Sequence, residues 1–181
     1  MKHEPAIAVV GTPAGGVKAL EQLVASLPGD LNTAVFIVLR LSPSMPSELA
    51  AILQRCTTLP VAEAIDGAMV RGGTVTVARP DYHLVFDCER VRLMRSPTEN
   101  RHRPAVDALF RSAAFAFAGR VIGVVLTGVL NDGTAGLWTI RDRGGLAIVQ
   151  EPAGAAFRSM PESALKHAAP TTSCLWSRSE H

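Results

Sequence analysis

The run Val121-Ile122-Gly123-Val124-Val125-Leu126, followed by Thr127-Gly128-Val129-Leu130-Asn131-Asp132-Gly133, decides the fold. Its first part is short and apolar, which is typical of a strand buried on both faces of a parallel sheet. Its second part is a glycine-flanked turn, and the residues from Thr134 to Arg141 have helical character. A buried strand, a polar turn and a helix in this order predict one unit of an α/β domain.

The same strand-turn-helix unit recurs on both sides of this stretch. The other predicted buried strands are Ala6 to Val10, Ala34 to Leu39 and Leu146 to Val149, and the other predicted helices are Val17 to Leu27, Ser47 to Leu53, Pro104 to Phe117 and Pro161 to His167. This alternation predicts a doubly wound, mainly parallel sheet with helices on both faces. Four short segments between residues 61 and 94 predict a small antiparallel region: Val61 to Ala64, Thr74 to Val77, His83 to Phe86 and Val91 to Met94.

Length and composition limit the classes of protein to consider. The 181 residues are 48% hydrophobic and 19% charged, which predicts one folded domain over residues 1–181. A net charge of +2 and 5% aromatic residues argue against nucleic acid as a partner. The absence of a leader pattern and of a long apolar run predicts a cytoplasmic protein without membrane insertion. The distant Cys56, Cys88 and Cys174 predict buried free thiols, with no disulfide or metal site.

Ligands of such sheets bind beyond the carboxyl ends of the strands, so the turns there hold the candidate site residues. The turn Gly11 to Gly16 is glycine-rich, but it matches neither common nucleotide fingerprint, and its only hydroxyl belongs to Thr12. A tight turn for helix packing, an anion cradle and a modified nucleophile elbow all fit this turn. In the turn after Leu126, Asp132 suits either a helix cap or a residue that orients a base.

Four segments in one order resemble the catalytic domain of the chemotaxis receptor methylesterases, the CheB family. The stretch LTGVLNDGTAG (126–136) is similar to the family's LTGMGxDGxxG, and the stretch NRHRPAVDALF (100–110) is similar to its NRHRPSVDxLF. The stretch VGTPAGG (10–16) stands where the family has IGASTGG, and FRSMPESA (157–164) is similar to FGMPREA. Order and spacing agree from about Ile7 to about Pro170.

The resemblance implies a Ser-His-Asp hydrolase without a cofactor or metal ion. Such enzymes hydrolyse glutamate methyl esters on receptor helices, and many of them also deamidate glutamine there. They usually carry an N-terminal receiver domain. We expect no receiver domain in this chain, and a separate one is a candidate partner.

Two of the three triad positions implied by the resemblance hold residues that cannot perform the chemistry. The serine position falls on Pro13, which has no hydroxyl, and the histidine position falls on Arg40, which cannot take up a proton. Only the aspartate is kept, as Asp132. Loss of the serine or the histidine of a triad typically lowers turnover about 10⁶-fold. We expect Arg40 and Asp132 to form a structural ion pair instead.

Three functions therefore remain open. The first is a binding or regulatory module that recognises acidic receptor helices through Asn100, Arg101 and Arg103, with Arg90, Arg92 and Arg95 nearby. The second is an active methylesterase or deamidase that uses Thr12, Ser42 or Ser44 as nucleophile, His102 as base and Asp132 as orienter. The third is a small-anion site in the glycine-lined pocket, where Arg40 and backbone N–H groups hold the anion. Gly15, Gly16, Thr127 and Asn131 are further candidate binding residues. The isolated His3, His83 and His167 are interpreted as surface or boundary residues.

Overall fold

The computed structural model describes residues 6–40, 48–126, 132–151, 159–168 and 170–174. The strands are β1 (Ile7–Pro13), β2 (Ala34–Arg40), β3 (Val61–Glu63), β4 (Val75–Val77), β5 (His83–Asp87), β6 (Arg90–Met94), β7 (Val121–Val125), β8 (Leu146–Gln150) and β9 (Thr172–Cys174). The helices are α1 (Val17–Ala25), α2 (Leu49–Gln54), α3 (Val106–Phe117), α4 (Thr134–Asp142) and α5 (Ser159–His167). None of the helices in these ranges is long and apolar enough to cross a membrane.

Seven strands form one sheet in the order β3-β4-β2-β1-β7-β8-β9, and every neighbouring pair is parallel. The strands β2, β3 and β4 lie on one side of β1, and the later strands β7, β8 and β9 lie on its other side. The order of the strands therefore reverses between β1 and β7, which is where ligands of open α/β sheets bind. The predicted fold class, a doubly wound parallel sheet, is confirmed.

The antiparallel region is smaller than the sequence predicted. Among the strands of the described residues, β5 and β6 alone pair antiparallel, as a separate hairpin, whereas β3 and β4 pair parallel and belong to the main sheet. Each of these two strands has three residues, and β4 alternates between buried and partly exposed positions. That alternation is typical of a hairpin, so the sequence pattern does not separate a short strand near the sheet edge from one in a hairpin.

Two layers of side chains cover the two faces of the sheet. The helices α1 and α2 pack on one face, and α3, α4, α5 and the β5–β6 hairpin pack on the other. On the second face Phe86 meets both Phe36 and Phe117 edge-to-face, with ring centroids 4.8 and 5.2 Å apart. Such aromatic pairs contribute about 0.5–1.5 kcal/mol each beyond the area that they bury. The hairpin is thus part of the core.

Glycine at the end of β1 lets other elements approach the sheet closely. A Cβ on Gly11 would lie 2.2 Å from Cγ1 of Val106, in the first turn of α3. A Cβ on Gly16 would lie 1.8 Å from Oγ1 of Thr12. Both distances are far below van der Waals contact, so any larger residue would push α3 or the turn after β1 away.

One side chain of α2 covers the start of the edge strand β3. The amide nitrogen of Gln54 donates to the carbonyl oxygens of Thr57 and Leu59, at 3.3 and 3.1 Å. Its amide oxygen accepts from the backbone N–H of Val61 at 2.9 Å. Gln54 therefore satisfies backbone groups that an edge strand otherwise leaves open.

Candidate functional site

The ends of three central strands meet at the carboxyl edge of the sheet. The last residue of β1, Pro13, is in register with the last residue of β2, Arg40. On the other side of β1, Leu126 at the end of β7 donates its N–H to the carbonyl of Gly11 at 3.1 Å. The two residues at the positions that the resemblance assigns to the serine and the histidine thus stand side by side, and Asp132 follows the neighbouring strand.

The Asp132 carboxylate is fully buried and caps helix α3. Its Oδ2 accepts from the N–H of Val106 and its Oδ1 from the N–H of Asp107, both at 3.0 Å. Residue Ala105 at the N-cap position supplies no side-chain hydrogen bond, so Asp132 supplies the cap from outside the helix. Asp132 therefore has a structural role in fixing α3 against the carboxyl edge of the sheet.

A second buried carboxylate, Asp107, performs the same role for α4. Its Oδ1 accepts from the N–H of Gly136 at 2.7 Å, and Asn100 donates its amide N–H to both Asp107 Oδ2 and Asp132 Oδ1 at 3.0 Å. Burial raises the pKa of Asp107 above its ordinary value, the nearby charge of Asp132 adds to that rise, and the hydrogen bond from Gly136 opposes it. The predicted binding residue Asn100 thus uses its amide within the protein, although the residue itself is exposed.

Arg40 is buried, with 5% of its surface exposed. Burial lowers the pKa of Arg40, and the negative charge of Asp132 partly restores it. The ion pairs that join described residues do not include Arg40 with Asp132. The prediction of a bidentate ion pair between Arg40 and Asp132 is therefore wrong. The two residues interact through charge, while the oxygens of Asp132 accept the hydrogen bonds of the helix cap.

His102 lies in the electrostatic field of these two residues. Its backbone exchanges hydrogen bonds with Glu99 at 2.8 and 3.1 Å, and its side chain is partly buried. Burial is the largest cause that lowers the pKa of His102 below 6.5; the Arg40 charge lowers it further, and Asp132 opposes both. The imidazole is consequently neutral at pH 7, as a proton acceptor must be.

The candidate nucleophile Thr12 does not face the solvent. It is fully buried on the α1 face of the sheet, against Gly16. The other candidate residues of this region, Ser42, Ser44, Thr127 and Asn131, lie outside the described residues. Gly15 and Gly16 belong to a short 3₁₀ turn, Ala14–Gly16, in which Gly15 is exposed and Gly16 is buried.

The segment from Arg95 to Ala105 is held by two residues that the sequence analysis missed. Asp81 accepts hydrogen bonds from both Arg95 and Arg103, and Arg103 also donates to the carbonyl of Ser96 at 2.7 Å. His83 is 1% exposed; its Nδ1 accepts from the N–H of Ala105 at 3.3 Å, and its Nε2 lies 3.0 Å from the carbonyl oxygen of Pro97. The interpretation of His83 as a surface or boundary residue is wrong, because the residue is fully buried.

Comparison with known proteins now adds to this geometry. The family described as CheB methylesterase matches residues 8–176. The chain belongs to the CheB methylesterase family. It is 37% identical over 159 residues to a protein-glutamate methylesterase/protein-glutamine glutaminase of Trichodesmium erythraeum, covering 86% of this chain and 45% of that protein. It is 33% identical to a putative protein of the same name from Leptospira interrogans, covering 87% of this chain and 82% of the relative.

A solved structure of the same family has the same fold. The chain is similar to the CheB methylesterase catalytic domain of Thermotoga maritima, with a TM-score of 0.89, 30% identity, and coverage of 95% of this chain and 93% of that one. This agreement confirms the family that the four sequence segments indicated. The chain spans less than half the length of the Trichodesmium relative.

The CheB-like domain offers no cluster of three or more His, Cys, Asp or Glu residues for a metal ion within its described ranges. Cys56 is partly buried and Cys88 is exposed. The prediction of a buried thiol is therefore wrong for Cys88, which lies in the β5–β6 turn with a positive φ of 52°. In that turn the residue type was a poor guide to burial, because a hairpin turn points its side chains into solvent.

Proposed function

We propose that this chain is a CheB-type domain that has lost hydrolytic chemistry and acts in the cytoplasm by binding a signalling partner, in chemotaxis-type signalling. The observation that carries the proposal is the pair Pro13 and Arg40 at the adjoining ends of β1 and β2. A proline supplies no attacking hydroxyl and no backbone N–H. A guanidinium remains protonated, so it accepts no proton from a nucleophile.

The surroundings of Asp132 support the same proposal. In a triad the aspartate orients a histidine, but here the Asp132 oxygens accept from Asn100 and from two backbone N–H groups of α3. This role requires no histidine partner. Retention of the aspartate is thus explained by the stability of the fold, without any catalytic function.

An ester hydrolysis assay tests the loss of chemistry. Release of methanol from a peptide that carries glutamate methyl esters would be measured for the wild type and for Pro13→Ser, Arg40→His and the double variant. We expect the wild type and both single variants to remain at background, because each lacks a nucleophile or a base. Hydrolysis at an enzymatic rate by the wild type would overturn the proposal.

A second candidate function is a hydrolase that uses His102 as its base. The observation that favours it is the lowered pKa of His102 beside Arg40 and Asp132. In this case the wild type would hydrolyse the peptide, and His102→Ala would abolish the activity. The variant His167→Ala is the matched control, because His167 is an exposed histidine at the end of α5.

A further inference from the structure

A turn at the carboxyl end of β4 brings two cations to one aromatic ring. Tyr82 donates its backbone N–H to the carbonyl of Arg79 at 3.4 Å, which closes the turn. The guanidinium carbons of Arg79 and Arg95 each lie 5.7 Å from the centre of the Tyr82 ring. Both distances are within the range of cation–π attraction, which orients the two side chains. We call Arg79, Tyr82 and Arg95 the Tyr82 platform.

The carboxylate beneath the platform is less exposed than its cations. Asp81 accepts from Arg103 and Arg95, and these contacts, with Arg103 as the larger cause, hold the pKa of Asp81 below its ordinary value. The Asp81 side chain is 25% exposed, whereas Arg79 and Arg95 are 50% and 62% exposed. The platform therefore exposes two guanidinium groups to solvent, and the contacts with Tyr82 and Asp81 hold them in place.

The position of the platform connects it with the family's catalytic position. In the sheet β4 is the direct neighbour of β2, so Arg79 and Arg40 both lie at the carboxyl edge. Arg95 begins the segment that runs to His102. The platform and the ends of β1 and β2 therefore lie at the same edge of the sheet.

We propose that the Tyr82 platform is the docking surface for an acidic helix of the signalling partner. This inference rests on the proposed function and adds the surface and the chemistry of recognition. Guanidinium groups pair with carboxylates through several N–H donors, and Asp81 uses one nitrogen of Arg95. Arg79 and Glu63 form an exposed ion pair with an N–O distance of 3.9 Å. An incoming carboxylate displaces Glu63 from Arg79 at little cost in free energy.

The charges around the platform favour a protein helix over a nucleic acid. Glu63 and Asp81 lie among the arginines, the chain has one tyrosine, and its net charge is +2. A single-stranded nucleic acid needs several stacking residues and a continuous basic groove, which one tyrosine and interspersed carboxylates do not supply. A helix needs only as many carboxylates as the platform has exposed arginines.

Fluorescence anisotropy with a labelled synthetic peptide tests the proposal on the full chain. The probe is a helical peptide of about 20 residues with glutamates on one face, and the matched probe has glutamine at the same positions. The test variants are Arg79→Gln and Arg79→Gln/Arg95→Gln. The control is Lys18→Gln/Arg55→Gln, which removes two exposed cations from α1 and from the end of α2 on the other side of the sheet. Circular dichroism checks that each variant is folded.

We expect the wild type and the control to bind the glutamate peptide but not the glutamine peptide. The double platform variant should bind about tenfold more weakly, since it loses about two solvent-exposed charged contacts. Unchanged affinity in that variant, or no binding by the wild type, would overturn the docking surface. Tighter binding of single-stranded RNA that is lost in the variant would overturn the choice of an acidic helix. Each of these results is independent of the ester assay, which alone decides whether the chemistry is lost.

Discussion

Asp132 caps helix α3, and Asp107, which lies in α3, caps helix α4 in turn. Asp132, which lies just before α4, accepts from the first turn of α3, and Asp107 in the first turn of α3 accepts from Gly136 in α4. Asn100 donates to both carboxylates. The starts of α3 and α4 are therefore tied together by two buried carboxylates at the carboxyl edge of the sheet, with the amide of the exposed Asn100 between them.

The variant Asp132→Ala should destabilise the protein by about 2–4 kcal/mol. It leaves two buried helix N–H groups without their acceptor and removes one of the two acceptors of the Asn100 amide, and each orphaned N–H group typically costs about 1–3 kcal/mol with partial relaxation. Urea unfolding followed by circular dichroism measures the change. The exposed Asp142 in α4 gives the matched variant Asp142→Ala, which should stay within about 0.5 kcal/mol of the wild type. Equal effects in both variants would contradict the capping role.

The raised pKa of Asp107 predicts a specific dependence of stability on pH. Because burial disfavours its charged form, the folded state holds this proton at pH values where the unfolded chain has already lost it. From about pH 4 upward, until the folded pKa is passed, the free energy of unfolding should fall relative to that of Asp107→Asn. Denaturant unfolding of both proteins from pH 4 to pH 8 measures this difference. A difference that is constant across the range would contradict the prediction.

The charge of Arg40 should be visible in the titration of His102. In Arg40→Met the pKa of His102 should rise, because the nearest lowering charge is removed while Asp132 still favours the protonated ring. Burial continues to lower the pKa, so the rise should be partial. NMR titration of the His102 imidazole signals in both proteins measures the change. An unchanged or lower pKa of His102 in the variant would show that the two side chains do not interact.

Close packing of α3 on β1 predicts a rescue between two substitutions. Gly11→Ala should cost about 1–3 kcal/mol, because the new Cβ would overlap both methyl groups of Val106. Val106→Ala removes those methyl groups, so the double variant should be more stable than the sum of the two single costs implies. Thermal unfolding of the four proteins gives the coupling energy. A coupling near zero would mean that α3 shifts freely away from the sheet.

The sequence predicted the architecture well and the site only in part. Apolar runs such as those of β1, β2 and β7 predicted the parallel strands, since strands buried on both faces need continuous hydrophobic residues. The roles of Asp107 and His83 were missed. Both depend on backbone groups more than 20 positions away, Gly136 and Ala105, and no local pattern records such contacts. The sequence predicts that Arg103 binds a partner, whereas in the structure its guanidinium group forms an ion pair with Asp81.

The side chain of Gln54 has a consequence for association between copies of the chain. Parallel sheets stop growing only where the outermost strand is unable to accept another one. The edge strand β3 is three residues long, and the N–H of its first residue, Val61, already donates to the side-chain amide oxygen of Gln54 in α2. Stacking of further chains onto this rim would first have to displace Gln54, which protects the folded protein against edge-to-edge aggregation.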